Sequence, residues 1–158
     1  KLAILAGLRE GNDRANERII GSEDAQKTNP IVELVAIEEC KYSFEEASAA
    51  LDRILALNKN PTAIVCSSDV LAVGAMLRAK ELGLSVPNDI SITGFDDINL
   101  ARVVTPTLTT VRVPQQEMGR KAAEVLLDLI NPNLGKNAAK SFELRTTIIN
   151  RGTLASHR

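Results

Sequence analysis

At 158 residues, 44% hydrophobic and 25% charged, the chain is long enough to bury a sizeable core and lacks the composition of a disordered segment. A formal net charge of −1, with no run of Arg and Lys longer than two, argues against this segment gripping nucleic acid through its own charge. No apolar stretch is long enough to cross a membrane and no signal peptide is read.

The chain opens on Leu2–Gly7 (LAILAG), an apolar run that reads as a buried strand. A polar, weakly patterned helix follows, roughly Asp13 to Gln26. Ile31–Ile37 (IVELVAI) reads as a second strand. Ser43 and Glu46 form an S-x-x-E capping box opening a helix with Phe44, Ala47, Leu51 and Ile54 on one face. Ala63–Ser67 (AIVCS) is a third strand. Ser68 is placed to cap a helix through Leu82, with Asp69 favourable to its dipole, Gly83 as its left-handed stop and Pro87 forbidding resumption. Ile90–Gly94 (ISITG) is a fourth strand. Strand and helix in alternation predict an α/β fold, an open parallel sheet with helices on both faces.

After Gly94 the pattern changes. Thr105–Val113 is β-rich and leads into Pro114, which suits the first turn of a helix. That helix carries Met118, Ala122, Val125 and Leu129 on one stripe, widened by Leu126, Leu127 and Ile130, and so wants a partner on a broad face. Asn131–Lys140 reads as a loop and Phe142–Ile149 as a last strand. The expected organisation is a sheet lobe over residues 1–113, a second unit over 114–149 beyond a hinge near Arg112–Pro114, and a tail over 150–158.

Cys40 and Cys66 lack CxxC or Cys/His spacing and read as two reduced, buried thiols of a cytoplasmic protein; the one histidine, His157, lies in the polar tail. Metal binding and Cys/His nucleophile chemistry are therefore not expected, and no cofactor is. Asp96 and Asp97, directly after the fourth strand, are open to three readings: a catalytic pair, ligand contacts, or the opening of a turn. Adjacent residues on an extended chain point opposite ways, so they cannot flank one substrate bond. Nucleotide and hydrolase motifs of the types GxGxxG, GxxxxGK[ST] and GxSxG are absent, and the first strand is followed by Gly7, Leu8 and Arg9 rather than by the acids of a phosphoacceptor. No enzyme is read here. In an open parallel sheet ligands sit beyond the carboxyl ends of the strands. That rim would gather Arg9, Asn12, Arg14 and Arg18 after the first strand, Tyr42 after the second, Ser68 and Asp69 after the third, and the two aspartates after the fourth. Carboxylate and guanidinium suit hydroxyls, and an aromatic ring suits a sugar face or a base; equally, loops after strands are polar in every such fold.

From Pro61 to Leu127 the chain carries S-x-D-x-x-A-x-G-A, E-L-G-L-x-V-P-x-D-I-S-I-x-G-F-D-D, T-P-x-L-T-T-V and M-G-R-x-A. In this order and spacing the pieces resemble the effector-binding core of the lac/galactose repressor family of bacterial transcription regulators. Transport-type periplasmic sugar-binding proteins share the fold and supply the alternative, a solute-binding component of a sugar transport system, but G-F-D-D and P-x-L-T-T-V resemble the repressors more closely. The resemblance implies a protein with an N-terminal helix-turn-helix and a two-lobed core that clamps a small effector, expected to be a sugar. Here the chain would begin at the C-terminal lobe, with operator contact made only through the absent N-terminal domain. Residues 114–149 would be the crossover helix and return strand of the missing lobe. Carried over by position, the effector-binding residues are Asp96, Arg18, Tyr42, Ser68 and Asn12, with Asp97 a structural turn residue. The corresponding helix and loop place Val73, Leu77, Val103 and Val104 at the contact of a homodimer. Two departures stand out: Ser22 follows Gly21 where the family usually has an aromatic, and Val113 occupies an often polar, ligand-facing position.

Overall fold

The computed structural model describes residues 1–131 and 141–156; the expected loop beyond Asn131 and the lone histidine, His157, lie outside the described residues. Strand β1 (Leu2–Gly7) is buried along nearly its whole length. Successive side chains of a strand face opposite ways. Ala3 and Leu5 therefore join one apolar core, and Ile4 and Ala6 another. Helix α1 (Asp13–Thr28) covers the second through Ile19, while α2 (Phe44–Ala56) and α3 (Asp69–Glu81) cover the first. Helices thus flank both faces, as the alternation predicts.

Strands β2 (Leu34–Cys40), β3 (Ala63–Cys66), β4 (Ser91–Asp96), β5 (Thr109–Arg112) and β6 (Thr147–Ile149) complete a six-stranded sheet ordered β2-β1-β3-β4-β5-β6. The first five are parallel, and β6 runs antiparallel beside β5. Three helix starts are fixed by side chains that relieve unpaired N–H groups. Asn12 Oδ1 accepts from Ala15, Ser43 Oγ from Glu46 and Ser68 Oγ from Leu71. Gly83, at φ +77°, supplies the left-handed residue beyond α3 that a side chain would strain.

Two strands differ from the sequence expectation. β2 starts at Leu34, three residues after the apolar run begins, because Val32 N–H turns back to the Asn29 carbonyl and Ile31 is left 91% exposed. It also runs on through Glu38, Glu39 and Cys40. As an edge strand it tolerates charge there: Arg53 pairs with Glu38 at 2.8 Å and Arg9 with Glu39 at 2.7 Å. The last strand contains only Thr147–Ile149 of the expected Phe142–Ile149, since β5 offers just Thr110 to Arg112 as partners. These three residues belong to the sheet of the first lobe.

Helix α4 (Gln115–Ile130) buries none of its residues. Its apolar stripe, including Met118, Val125 and Leu129, forms an open trough with Phe142 and Leu144 and is otherwise bare. A second void, about 550 Å³, lies under α1 and is walled by Ile4, Ile19, Val65, Phe95, Val111 and Leu154. The inward stripe of α1 starts with Ala15 and Ile19, both fully buried, and then continues through the small side chains of Ser22 and Ala25. The void sits where the helix runs out of volume. Of the four positions assigned to a dimer contact, Val73 is 3% exposed and packed in the core of its own chain, and Val104 is half-buried against it. Leu77, 49% exposed, and Val103, 72% exposed, face outward beside a groove that Met76, Leu84 and Pro106 help to line.

Candidate functional site

The carboxyl ends of β1 to β4 bring Asn12, Arg14, Arg18, Tyr42, Ser68, Val70 and Asp96 around one open cavity of about 270 Å³. The five residues assigned to the effector from sequence are all in its wall. Asn12 and Ser68 are also the N-caps of α1 and α3, so each points to the rim because a helix begins there. Tyr42 lies with its ring against Gly7, where any Cβ would collide with the ring. Its hydroxyl sits at the long distance of 3.5 Å from Asn12 Nδ2.

Arg18 is held in three ways. Nη1 donates to the Ser67 carbonyl at 2.5 Å, Nη2 stands 3.6 Å from Asp96 Oδ1, and the guanidinium carbon lies 3.8 Å from the Phe95 ring centre. Burial pushes the Asp96 carboxyl above its ordinary pKa, against the opposing charges of Arg18 and Arg14. Its backbone stands at φ +108° and that of Asp97 at +52°, consecutive left-handed values that cost energy outside glycine and cluster at functional sites.

That backbone sends the two carboxylates to different places. Asp96 faces the rim cavity, whereas the Asp97 side chain is 1% exposed and accepts from Arg112 Nε at 2.6 Å, Arg151 Nη2 at 2.5 Å and Arg102 Nη2 at 3.3 Å. Asp97 is more than a turn residue: it ties the end of β5 and the stretch after β6 to the end of β4. Asp69, read from sequence as a dipole partner, is buried and accepts from Thr110 Oγ1 at 2.5 Å and from Ile98 N–H at 2.8 Å. A Cβ at Gly94 would strike this carboxylate, which is why the strand needs a glycine there.

Arg14 and Val70 also line the cavity. Arg14 was legible as a residue four before Arg18, hence on the same helix face; Val70 carried no polar signal. Arg9, grouped with them by sequence, turns away to Glu39. Among the described residues no group of three or more His, Cys, Asp and Glu is placed to hold a metal ion. Both cysteines are buried and free, and burial pushes the Cys40 thiol up to about 11.

A periplasmic binding protein-like domain family matches residues 3–154. The chain belongs to that family. The HTH-type transcriptional repressor PurR of Vibrio campbellii is 37% identical over 154 residues, covering 97% of this chain and 45% of that protein. A LacI-family transcriptional regulator from Burkholderia phymatum superposes with a TM-score of 0.84 at 29% identity, over 99% of this chain and 56% of its own. The lac repressor dimer bound to operator and the anti-inducer ONPF gives 0.88 at 27% identity, over 99% and 53%. The resemblance to the lac/galactose repressors therefore holds for this periplasmic binding protein-like domain, which spans about half the length of the relatives it matches.

Proposed function

We propose that the chain is the C-terminal effector-binding lobe of a cytoplasmic, homodimeric transcriptional repressor, that its effector is a hydroxyl-bearing ring compound such as a sugar, and that it catalyses no reaction. The observation that carries this reading is the convergence of Asn12, Arg18, Tyr42, Ser68 and Asp96, widely scattered in the sequence, on one rim cavity. Asp96 accepts from hydroxyls, Arg18 and Asn12 donate to them, and the Tyr42 ring packs against an apolar ring face. Residues 114–149 up to β6 would belong mainly to the opposing lobe, which accounts for the bare stripe of α4. Effector contacts made in only one arrangement of the lobes bias the DNA-binding state by the difference in affinity between the two. The regulators that this chain resembles favour this reading over a sugar-transport component.

Titration calorimetry on the intact protein with its effector tests the site. Asp96→Ala should weaken binding by about 1–3 kcal/mol, the cost of leaving a buried polar partner unsatisfied, and Tyr42→Ala by less. Unchanged affinity in Asp96→Ala removes the rim from consideration.

A further inference from the structure

Arg14 sets the rim apart from a site made for a neutral sugar. We propose that the effector carries an anionic group, phosphate or carboxylate, on its hydroxylated ring, and that Arg14 is the residue that selects it. The proposal rests on the rim being the effector site. Two guanidinium groups line the cavity and one carboxylate does. That carboxylate, Asp96, stands 3.6 Å from Arg18, and Arg18 is further committed to the Ser67 carbonyl and the Phe95 ring. Of the acids at this end of the sheet, Asp97 is held by Arg102, Arg112 and Arg151, Asp69 by Thr110 and Ile98, and Glu39 by Arg9, while Glu10, Asp13 and Glu17, the acids nearest Arg14 in sequence, line no part of the cavity. Arg14 makes no hydrogen bond and no ion pair among the described residues, yet it lines the cavity. In the cavity wall itself, two guanidinium groups stand against one carboxylate.

The rim's own groups divide the work. Asp96 and Asn12 are matched to hydroxyls and the Tyr42 ring to a ring face, which leaves Arg14 for a group neither of them can take. A guanidinium presents paired donors that fit two oxygens of a carboxylate or phosphate. The backbone adds to the field, because α1, α2 and α3 all begin at this end of the sheet and direct the positive ends of their dipoles toward it. A neutral sugar offers that guanidinium only single hydroxyl acceptors in place of paired anionic oxygens.

Inorganic phosphate is the simplest probe. In the intact protein, phosphate should raise the melting temperature above that in chloride of equal ionic strength. Arg14→Ala should weaken the phosphate response about ten-fold or more, as removal of a charge-assisted hydrogen bond does. Lys80→Ala, which removes an exposed cation away from the rim, should leave it unchanged. Arg14 is exposed, so its replacement does not threaten folding. No phosphate effect in the parent protein, or an effect equal in Arg14→Ala, overturns the proposal. Glucose, glucuronate and glucose 6-phosphate then separate the two levels of inference. Binding of all three with equal affinity keeps the rim as a sugar site and overturns the role of Arg14. Phosphate binding that depends on Arg14, with none of the three sugars bound, upholds the anion preference and removes the sugar. Preference for glucuronate or for glucose 6-phosphate over glucose supports both and tells carboxylate from phosphate.

Discussion

Asp97→Asn removes the charge and keeps the shape of the carboxyl, but turns one of its two accepting oxygens into an NH2 that faces an arginine donor. Truncating one partner of a buried ion pair costs about 3–5 kcal/mol, since the other charge is left uncompensated in a poorly solvated place. Of the three arginines on Asp97, only Arg151 is mostly buried, and its Nη1 retains a 2.7 Å bond to the Leu108 carbonyl. Arg102 and Arg112 are each about half exposed and can turn to water. The expected loss is therefore smaller, about 2–3 kcal/mol. For a domain of this size that lowers the melting temperature by roughly 4–12 °C. Arg102→Ala alone, an exposed pair at 3.3 Å, should cost under about 1 kcal/mol. The pH dependence carries a sign. Burial pushes the Asp97 carboxyl up, but the bonds and charges of Arg151, Arg112 and Arg102 together hold it below its ordinary value of 3.8. A depressed folded pKa stabilises the fold above the unfolded value and loses that contribution as the pH falls through the folded one. The gap between parent and variant should be flat near neutrality and close only below the ordinary carboxyl value. Urea denaturation across a pH series reads both quantities. A variant as stable as its parent at neutral pH, or a gap that persists in strong acid, would refute the clasp.

Two other outcomes are expected. Leu77→Lys together with Val103→Asp should turn a dimer of the intact protein into a folded monomer by light scattering, whereas Val73→Asp should unfold the chain because Val73 lies in its own core; a dimer that survives the double change excludes this surface. Ser22→Leu should place apolar volume in the void beneath α1 and raise stability by about 0.5–2 kcal/mol in thermal denaturation, and a lowered melting temperature would show that α1 already fits the sheet there.

The elements that sequence bounds well are those whose ends are local chemistry. Ser68 starts α3 by binding the Leu71 N–H, and Gly83 ends it at a left-handed φ, so both limits are visible within a few residues. The limits of β2 are not legible in this way because they depend on neighbours. At the sheet edge Glu38 and Glu39 are tolerated by partial exposure and paired with Arg53 and Arg9, distant in sequence. The same distinction runs through the site. The position of Asp96 on the rim is legible from topology and from the G-F-D-D piece. The clasp at Asp97 is not, since its partners lie 5, 15 and 54 positions away and no spacing rule joins them. The void under α1 is foreshadowed by Ser22 in place of an aromatic, but only the packed sheet shows which side of the helix that absence falls on.

If the rim is the effector site proposed above, its two caps have a consequence for how fast and how tightly a ligand is held. Asn12 and Ser68 keep their rotamers because a helix start depends on each, Tyr42 is pressed on Gly7, and Arg18 is pinned at three points. Immobilising a flexible side chain on binding costs about 0.5–1.5 kcal/mol, and if the proposed effector binds here, four residues of this wall already have intramolecular partners that lower that cost. Such a wall acts as the fixed jaw of a vice. On the proposed reading, arrival at it would require no loop to order itself, so the encounter would be limited by diffusion and electrostatic attraction rather than by local refolding. The slow, costly ordering would then fall to the proposed opposing lobe.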